Sequence, residues 1–332
     1  MSETSLATAA KIKWHKPVVP DLSGRDVCLF VSYAPDGFLK PHVQHYLAAL
    51  RQHGFVVVAI AATDLAELTP PDLPIWLSLT DAFAMRENAG FDFGAWAAVL
   101  NTHPGIWGAA SLTLANDSVF GPFDRFGEMI ARIRNTSADV VSPVETLQIK
   151  RHFQSFFMTF RGAALRSAAL RNFWADIRNI PDKTELIRRY EVELFSQCAD
   201  AGLSIEFLFP LSGLPLARSR YRDIGIEHLN PTHHLWKELL DAGLPFIKIE
   251  LLRDNPCRVG LKGWEAEVVR RGADTDRIQT FLRTSWRTRG YGPMPHDWRG
   301  DIKRKLRRIR RAIRSRLGLR SRRERIAGRR TS

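Results

Sequence analysis

Phe55 to Ala62 reads FVVVAIAA, eight apolar residues with no polar break. A run this short, uninterrupted and rich in β-branched side chains predicts a strand buried on both faces, the pattern of a parallel sheet rather than of a half-solvated antiparallel one. Such a strand needs helices packed on both of its sides, and the surrounding sequence supplies them. From Asp26, VCLFV forms a similar run that stops at the loop signal Ser32-Tyr33-Ala34-Pro35-Asp36-Gly37. His42 to His53 has Val43, Tyr46, Leu47 and Leu50 at helical spacing, with Gly54 just past the end.

The alternation continues along the chain. Ala82 to Met85 is a short apolar stretch, followed by the loop RENAGFDFG and a helix over Ala95 to Leu100. Ser111 to Ala115 predicts a strand, Asn116-Asp117-Ser118 a loop, and Asp124 the cap of the next helix. Ala138 to Val144, Ser155 to Phe160 and Leu203 to Phe209 predict further strands, and Thr184 to Ala201 a strongly periodic helix. The expectation is an α/β fold, a mostly parallel sheet with its functional loops at the carboxyl ends of the strands. The predicted partition is a flexible N-terminal arm at 1–24, one α/β domain at 25–284, a linker at 285–300 and a basic helix and tail at 301–332.

Charge supports that partition. The chain carries a formal net charge of +14, but Arg299 to Ser332 alone holds 16 Lys+Arg against 2 Asp+Glu. The body before it is neutral, so nucleic acid is not an expected partner of the body. Cys28, Cys198 and Cys257 are far apart, with no C-x-x-C pair, and read as reduced structural thiols. MSETSLATAAKIKWHK lacks the apolar core of a signal peptide and no run is long enough to span a bilayer, which predicts a cytoplasmic protein.

Several polar clusters follow apolar strands, where an open α/β sheet binds its ligand. Asp117 in Asn116-Asp117-Ser118 is placed to hold a divalent cation, although all three residues also favour turns. In the loop from Arg86 to Gly94, Arg86 and Asn88 suit phosphate or sugar oxygens, and Gly90 and Gly94 permit a close backbone approach. Neither G-x-G-x-x-G nor a Walker A sequence is present. His152 and Gln154 open a predicted strand, compatible with sugar hydroxyls or with an ordinary polar strand start. His233 and His234, after Thr232, read as structural, without a matching ligand set.

Within the helix from Thr184, Leu186, Tyr190, Leu194 and Cys198 form an apolar stripe at about 100° per residue. Glu191 falls inside that stripe and Glu193 just beyond its edge. A carboxylate on a buried face is costly unless paired or used, and burial moves its pKa toward that of a general base. A buried ion pair would satisfy the same position.

Taken together, VSYAPDG (31–37), RENAGFDFGAW (86–96), LANDSVFGP (114–122), HFQSFFMTFRG (152–162), RRYEVELF (188–195) and the segment from Asn230 to Pro256 resemble the rhamnan synthesis protein F family of bacterial polysaccharide assembly. The resemblance covers about residues 26 to 256. It implies an A-type glycosyltransferase fold, a single Rossmann-like sheet, with dTDP-L-rhamnose as donor and a lipid-linked cell-surface glycan as acceptor. For such a donor, the polar clusters at the strand ends give an expected site of Ser32, Tyr33, Arg86, Asn88, Asp92, Asn116 and Ser118, with His152 and Gln154 toward the acceptor. Asp117 stands where many A-type enzymes have Asp-x-Asp, making it the one carboxylate there for a Mg or Mn ion. Phe91 and Phe156 stand where relatives often carry Tyr.

A sugar leaving a diphosphate passes through an oxocarbenium-like state, and the departing phosphates need positive charge. Asp117 through a cation and Arg86 directly are the expected sources. In an inverting reaction one carboxylate removes the acceptor proton, and Glu191 is the expected base. A non-catalytic scaffold of the same family and an S-adenosylmethionine-dependent glycan-modifying enzyme are the other readings. At the tail, Asp301 caps a helix with Ile302, Leu306, Ile309, Ile313 and Leu317 on one side and Lys and Arg elsewhere. That basic amphipathic helix, 301–317, predicts attachment to an anionic membrane at the inner face of the cell membrane.

Overall fold

The computed structural model describes residues 10–19, 21–215 and 225–289. The predicted linker from 290 onward and the basic helix at 301–317 lie outside the described residues. In chain order the elements begin with β1 (Ile12–Lys16), β2 (Asp26–Tyr33), α1 (Pro41–Gln52), β3 (Val56–Thr63), α2 (Leu73–Leu79), β4 (Ala82–Glu87) and α3 (Phe91–Thr102). They continue with β5 (Ser111–Asn116), β6 (Val119–Phe120), α4 (Phe126–Asn135), β7 (Val140–Ser142), β8 (Glu145–Thr146), β9 (His152–Phe153) and β10 (Phe157–Arg161).

The fold is α/β, with a mixed, mostly parallel eight-stranded sheet in the order β1-β4-β3-β2-β5-β10-β7, ending at β11 (Ile205–Phe207). Alternation along β2 and β3 explains why helices cover both faces. Cys28, Phe30, Val57 and Ala59 enter one apolar cluster together with Val43, Leu47 and Ile130 of α1 and α4. Val27, Leu29, Val56 and Val58 point the other way, into a second cluster with Trp96 and Val99 of α3. That second cluster also takes in α5 (Ala163–Arg166), α6 (Ala168–Ala175), α7 (Lys183–Leu186) and α8 (Val192–Asp200) through residues such as Trp174 and Leu194.

The chain then adds α9 (Pro231–His234), α10 (Trp236–Ala242), β12 (Ile247–Lys248), α11 (Ile249–Arg253), α12 (Trp264–Val269) and α13 (Thr275–Arg289). Here β12 pairs antiparallel with β6, setting Lys248 opposite Val119. Phe120, Ile247, Leu251, Val268 and Ile278 form a third, smaller apolar cluster around that ribbon.

Several sequence expectations change in three dimensions. Residues 12–16 are not part of a loose arm but form β1, antiparallel to β4, because Ile12 and Trp14 alternate onto the second core. The strand expected from Ser155 starts at Phe157 and runs antiparallel between β5 and β7. The connection from β7 carries only the small β8–β9 ribbon and no crossover helix, so a parallel return is not available. His152 therefore lies in that ribbon, opposite Thr146, and does not open a sheet strand. The helix expected to be capped by Asp124 starts at Phe126, with Arg125 as its flanking residue and no side-chain cap.

The helix expected over Thr184 to Ala201 is divided. Asp182 caps α7, a π-turn spans Ile187–Glu191, and α8 resumes at Val192. One wide turn shifts the wheel, and π-turns of this kind are frequent at functional positions. Tyr190, Val192, Leu194 and Cys198 remain buried.

Candidate functional site

The parallel register sets the site. Val31 of β2 lies opposite Asn116 of β5, so the residues that follow each strand meet at the same edge. Since the chain leaves β2 for β3 on one side and has β5 on the other, this is the crevice where an open sheet reverses its order. There the Asp117 carboxylate accepts from Ser32 Oγ at 2.8 Å and from the Tyr33 N–H at 3.1 Å. Lys40 Nζ lies 3.5 Å from the same oxygen and also donates to the Tyr33 carbonyl. Pro41 at the start of α1 holds Lys40 in extended backbone just outside the helix.

Asn116 connects Asp117 to the opposite wall. Its Oδ1 accepts from Ser118 N–H at 3.1 Å and Ser118 Oγ at 2.6 Å, and its amide donates to Asp92 Oδ2 at 2.7 Å. The same amide is 3.5 Å from the Ser155 carbonyl, and the Ser155 N–H donates to Glu191 Oε1 at 3.2 Å. Lys248 Nζ donates to Ser118 Oγ at 3.1 Å and stands 4.8 Å from the Phe156 ring centroid. Ser32, Tyr33, Asp92, Asn116, Asp117, Ser118 and Glu191 are thus brought into one chain of contacts. Glu191 is half-buried rather than enclosed, since the π-turn carries it to the rim of the apolar stripe.

Charges within this cluster perturb one another. Asp92 is half-buried, with its carboxylate held by the Asn116 amide. Burial pushes its pKa up to about 7; Asp117 and Glu191 push the same way, against Lys183 and Lys248. Lys248 is held below the usual lysine range by burial, opposed by Glu191 and Glu250. A carboxylate near neutrality, a second one at a crevice and two ammonium groups form a set able to move a proton and to bind an anion.

Other predicted residues are placed differently. The Arg86 guanidinium is buried and turned away, donating to the Glu87 and Ala89 carbonyls at 3.1 and 2.6 Å and to Asn179 Oδ1 at 2.9 Å. It braces the loop that leads to Asp92 and does not face the crevice as a phosphate ligand. The space over Gly90 and Gly94 is filled by Asn179, whose Oδ1 would stand 2.6 and 2.7 Å from a Cβ at either position. Asn88 is exposed and sits 3.4 Å from Asp64 Oδ1, while Tyr33 O–H donates to Asp64 Oδ2 at 2.5 Å. His152 and Gln154 are buried in and beside the β8–β9 ribbon, with His152 Nδ1 2.7 Å from the Lys150 carbonyl and the Gln154 N–H donating to the Val144 carbonyl at 3.1 Å. They adjoin the site through Ser155. His233 is buried and lies 3.7 Å from Glu250, and Asn230 rather than Thr232 flanks its helix.

Sequence reading missed Lys40, Asp64, Ser155 and Lys248. Of these only Lys248 left a local signal, as a lone cation inside the apolar run LPFIKIELL. Among the described residues no all-protein site for a divalent cation is built around Asp117. The Asp117 oxygen already takes two donors and faces Lys40, and among the described residues no group of three His, Cys, Asp or Glu is arranged to hold a metal.

Comparison with known proteins adds a family. A profile described as rhamnan synthesis protein F matches residues 57–266, well over half of the chain. The chain is 29% identical over 254 residues to the virulence protein VirA of Vibrio anguillarum, covering 70% of this chain and 81% of that one. It is 25% identical over 214 residues to the uncharacterized protein y4gN of Sinorhizobium fredii, covering 62% of this chain and 53% of that protein.

Proposed function

This chain belongs to the rhamnan synthesis protein F family, and from that premise we propose that it is a glycosyltransferase acting in the synthesis of a cell-surface polysaccharide. The observation that carries the proposal is the meeting of Asp92, Asn116, Asp117 and Glu191 at the carboxyl edge of the sheet. The reading takes L-rhamnose from dTDP-L-rhamnose as the transferred sugar, a lipid-linked glycan as acceptor, and the A-type transferase fold as the scaffold. The virulence role in the name of the Vibrio relative suits a protein that builds surface glycan.

In the inverting reaction the acceptor hydroxyl attacks the anomeric carbon as the diphosphate leaves. Glu191, on the rim of the crevice, takes the hydroxyl proton. Ser155 holds that carboxylate through its N–H, and Asp117 fixes the Ser32–Tyr33 turn against which the donor lies. Tyr33 and Asp64 offer a hydroxyl and a carboxylate to the free 3′-hydroxyl of the donor's deoxyribose.

Calorimetry of the full chain against a panel of nucleotide sugars tests the reading. Binding of a dTDP- or UDP-sugar is expected, and a folded protein that binds none of them overturns the transferase. Among the described residues no helix is long and apolar enough to cross a membrane. The proposed attachment to the inner face of the cell membrane rests on the basic segment 301–317, with Lys and Arg contributing about 1 kcal/mol each near an anionic surface. Equal sedimentation with anionic vesicles by the full chain and by a version ending at Trp298 would refute that anchor.

A further inference from the structure

Lys248 is unusual among the charged groups of the body. It interrupts the apolar run from Leu244 to Leu252, where the other polar residue is Glu250. Pairing of β12 with β6 sets it beside Ser118, and its Nζ donates to a neutral hydroxyl, Ser118 Oγ, above the Phe156 ring. Among the described residues no carboxylate stands within ion-pair distance of that ammonium. Lys248 also borders a recess with Val119, Phe156, Thr232 and Trp236. A partly desolvated ammonium whose hydrogen bond goes to a neutral hydroxyl, with Asp92, Glu191 and Glu250 acting on it only from beyond ion-pair distance, keeps room for an anion as a direct partner.

A second ammonium lies on the adjacent residue. Lys40 stands 3.5 Å from the Asp117 carboxylate, the position a divalent cation would need. Asp117 and Ser118 are consecutive, so the two lysines flank one stretch of backbone at the end of β5. Arg86, the other cation expected near phosphate, is consumed by its own loop.

We infer that Lys248 is the cationic subsite for the donor's phosphates, and that with Lys40 on Asp117 the crevice binds a nucleoside diphosphate without a divalent cation. This rests on the transferase reading and adds to it the source of the charge that stabilises the leaving group. As the bridging oxygen of the diphosphate takes the bonding electrons and Glu191 takes the acceptor proton, the Lys248 ammonium offsets part of the charge that develops on the leaving group, with Lys40 beside it on Asp117. Lysine acts here as a point charge, without the bidentate geometry of arginine.

The test is calorimetry of dTDP, UDP and inorganic pyrophosphate with the full chain, in EDTA and in added Mg²⁺, for the wild type, Lys248→Met and Lys248→Arg. Binding of dTDP or UDP is expected in EDTA, and Lys248→Met is expected to weaken it by about tenfold or more. Lys248→Arg should restore most of the affinity. Thymidine and uridine, which lack phosphate, should bind the Met variant and the wild type alike, a result that a merely structural role for Lys248 would not give. Binding that appears only with Mg²⁺ overturns the inference and leaves the transferase standing, as does a Met variant with unchanged affinity or with equal loss for the bare nucleoside. If neither diphosphate binds in either condition, both readings fall.

Discussion

Asp117 and Asp92 are set on opposite sides of Asn116, yet their surroundings differ. Asp117 is compensated by a hydroxyl, a backbone N–H and the nearby Lys40 ammonium. Asp92 accepts one amide hydrogen bond at 2.7 Å, and burial with two like charges raises its pKa to about 7. Two carboxylates within one crevice thus have different surroundings, one paired with donors and a cation, the other crowded by burial and like charge. Glu191 stands between these cases, anchored by one N–H and half open to the crevice. A fixed anion is suited to organising a turn, and an accessible, lightly held one to taking a proton.

Removing the lightly held carboxylate gives the largest effect on transfer. Glu191→Gln keeps the size and the oxygen that accepts from Ser155, so kcat is expected to fall by about 10²- to 10⁴-fold while donor affinity changes little. Steady-state kinetics with a lipid-linked acceptor reads both. A greater kcat loss from Asp92→Asn than from Glu191→Gln would reassign the base to Asp92 and reverse the contrast drawn above.

Removing the compensated carboxylate should act on binding and stability instead. Asp117→Ala leaves Ser32, the Tyr33 N–H and Lys40 without their shared acceptor, which costs about 2 kcal/mol of stability. Donor affinity should fall with it, because the turn that carries Tyr33 is released. Urea unfolding and calorimetry together check this, and an Asp117→Ala protein with wild-type stability would show that the pairing is not a brace.

A smaller effect separates the two aspartates by pH alone. The Asp92 carboxyl ionises near 3.8 when unfolded and near 7 when folded, so between these values the native chain holds a proton that the unfolded chain has released. Its contribution to stability is fully present below about 3.8 and is lost as pH rises toward 7. Asp92→Asn removes that loss. The midpoint of thermal unfolding of the variant relative to the wild type should therefore climb from pH 5 to pH 7 and then level off. Buried His42, whose pKa is lowered to about 3 mainly by burial, gives an opposite slope at acid pH. It is common to both proteins and cancels in the difference. A difference that stays flat across this range would place the Asp92 carboxyl in solvent.

The sheet was legible because it is written locally. FVVVAIAA and VCLFV can be stable only between two apolar layers, and the helices with Leu47 and Trp96 provide those layers. The clusters after β2, β4 and β5 could be read for the same reason, since polar residues that stop an apolar run must sit at a strand end. Other features were hidden because their causes are distant in sequence. β1 needs a free edge on β4, which no pattern within residues 12–16 discloses. β10 turns antiparallel because of the short connection before it, and the π-turn at Ile187–Glu191 interrupts a stretch whose periodicity reads as a continuous helix.

The amino-acid sequence by itself determined which segments are buried, where they stop, and which polar residues are left at those stops, since burial depends on the local spacing of apolar side chains. Only the tertiary structure decided which charges meet. Lys40 reaches Asp117 across 77 positions and Lys248 reaches Ser118 across 130, distances set by strand order and pairing. Electrostatic roles follow from those meetings: Arg86, a phosphate ligand by its place in the sequence, is held in a loop, and Lys248, a lone cation in an apolar run, comes to stand beside Ser118. A side chain's type is local, but its charge state and partners depend on everything folded around it.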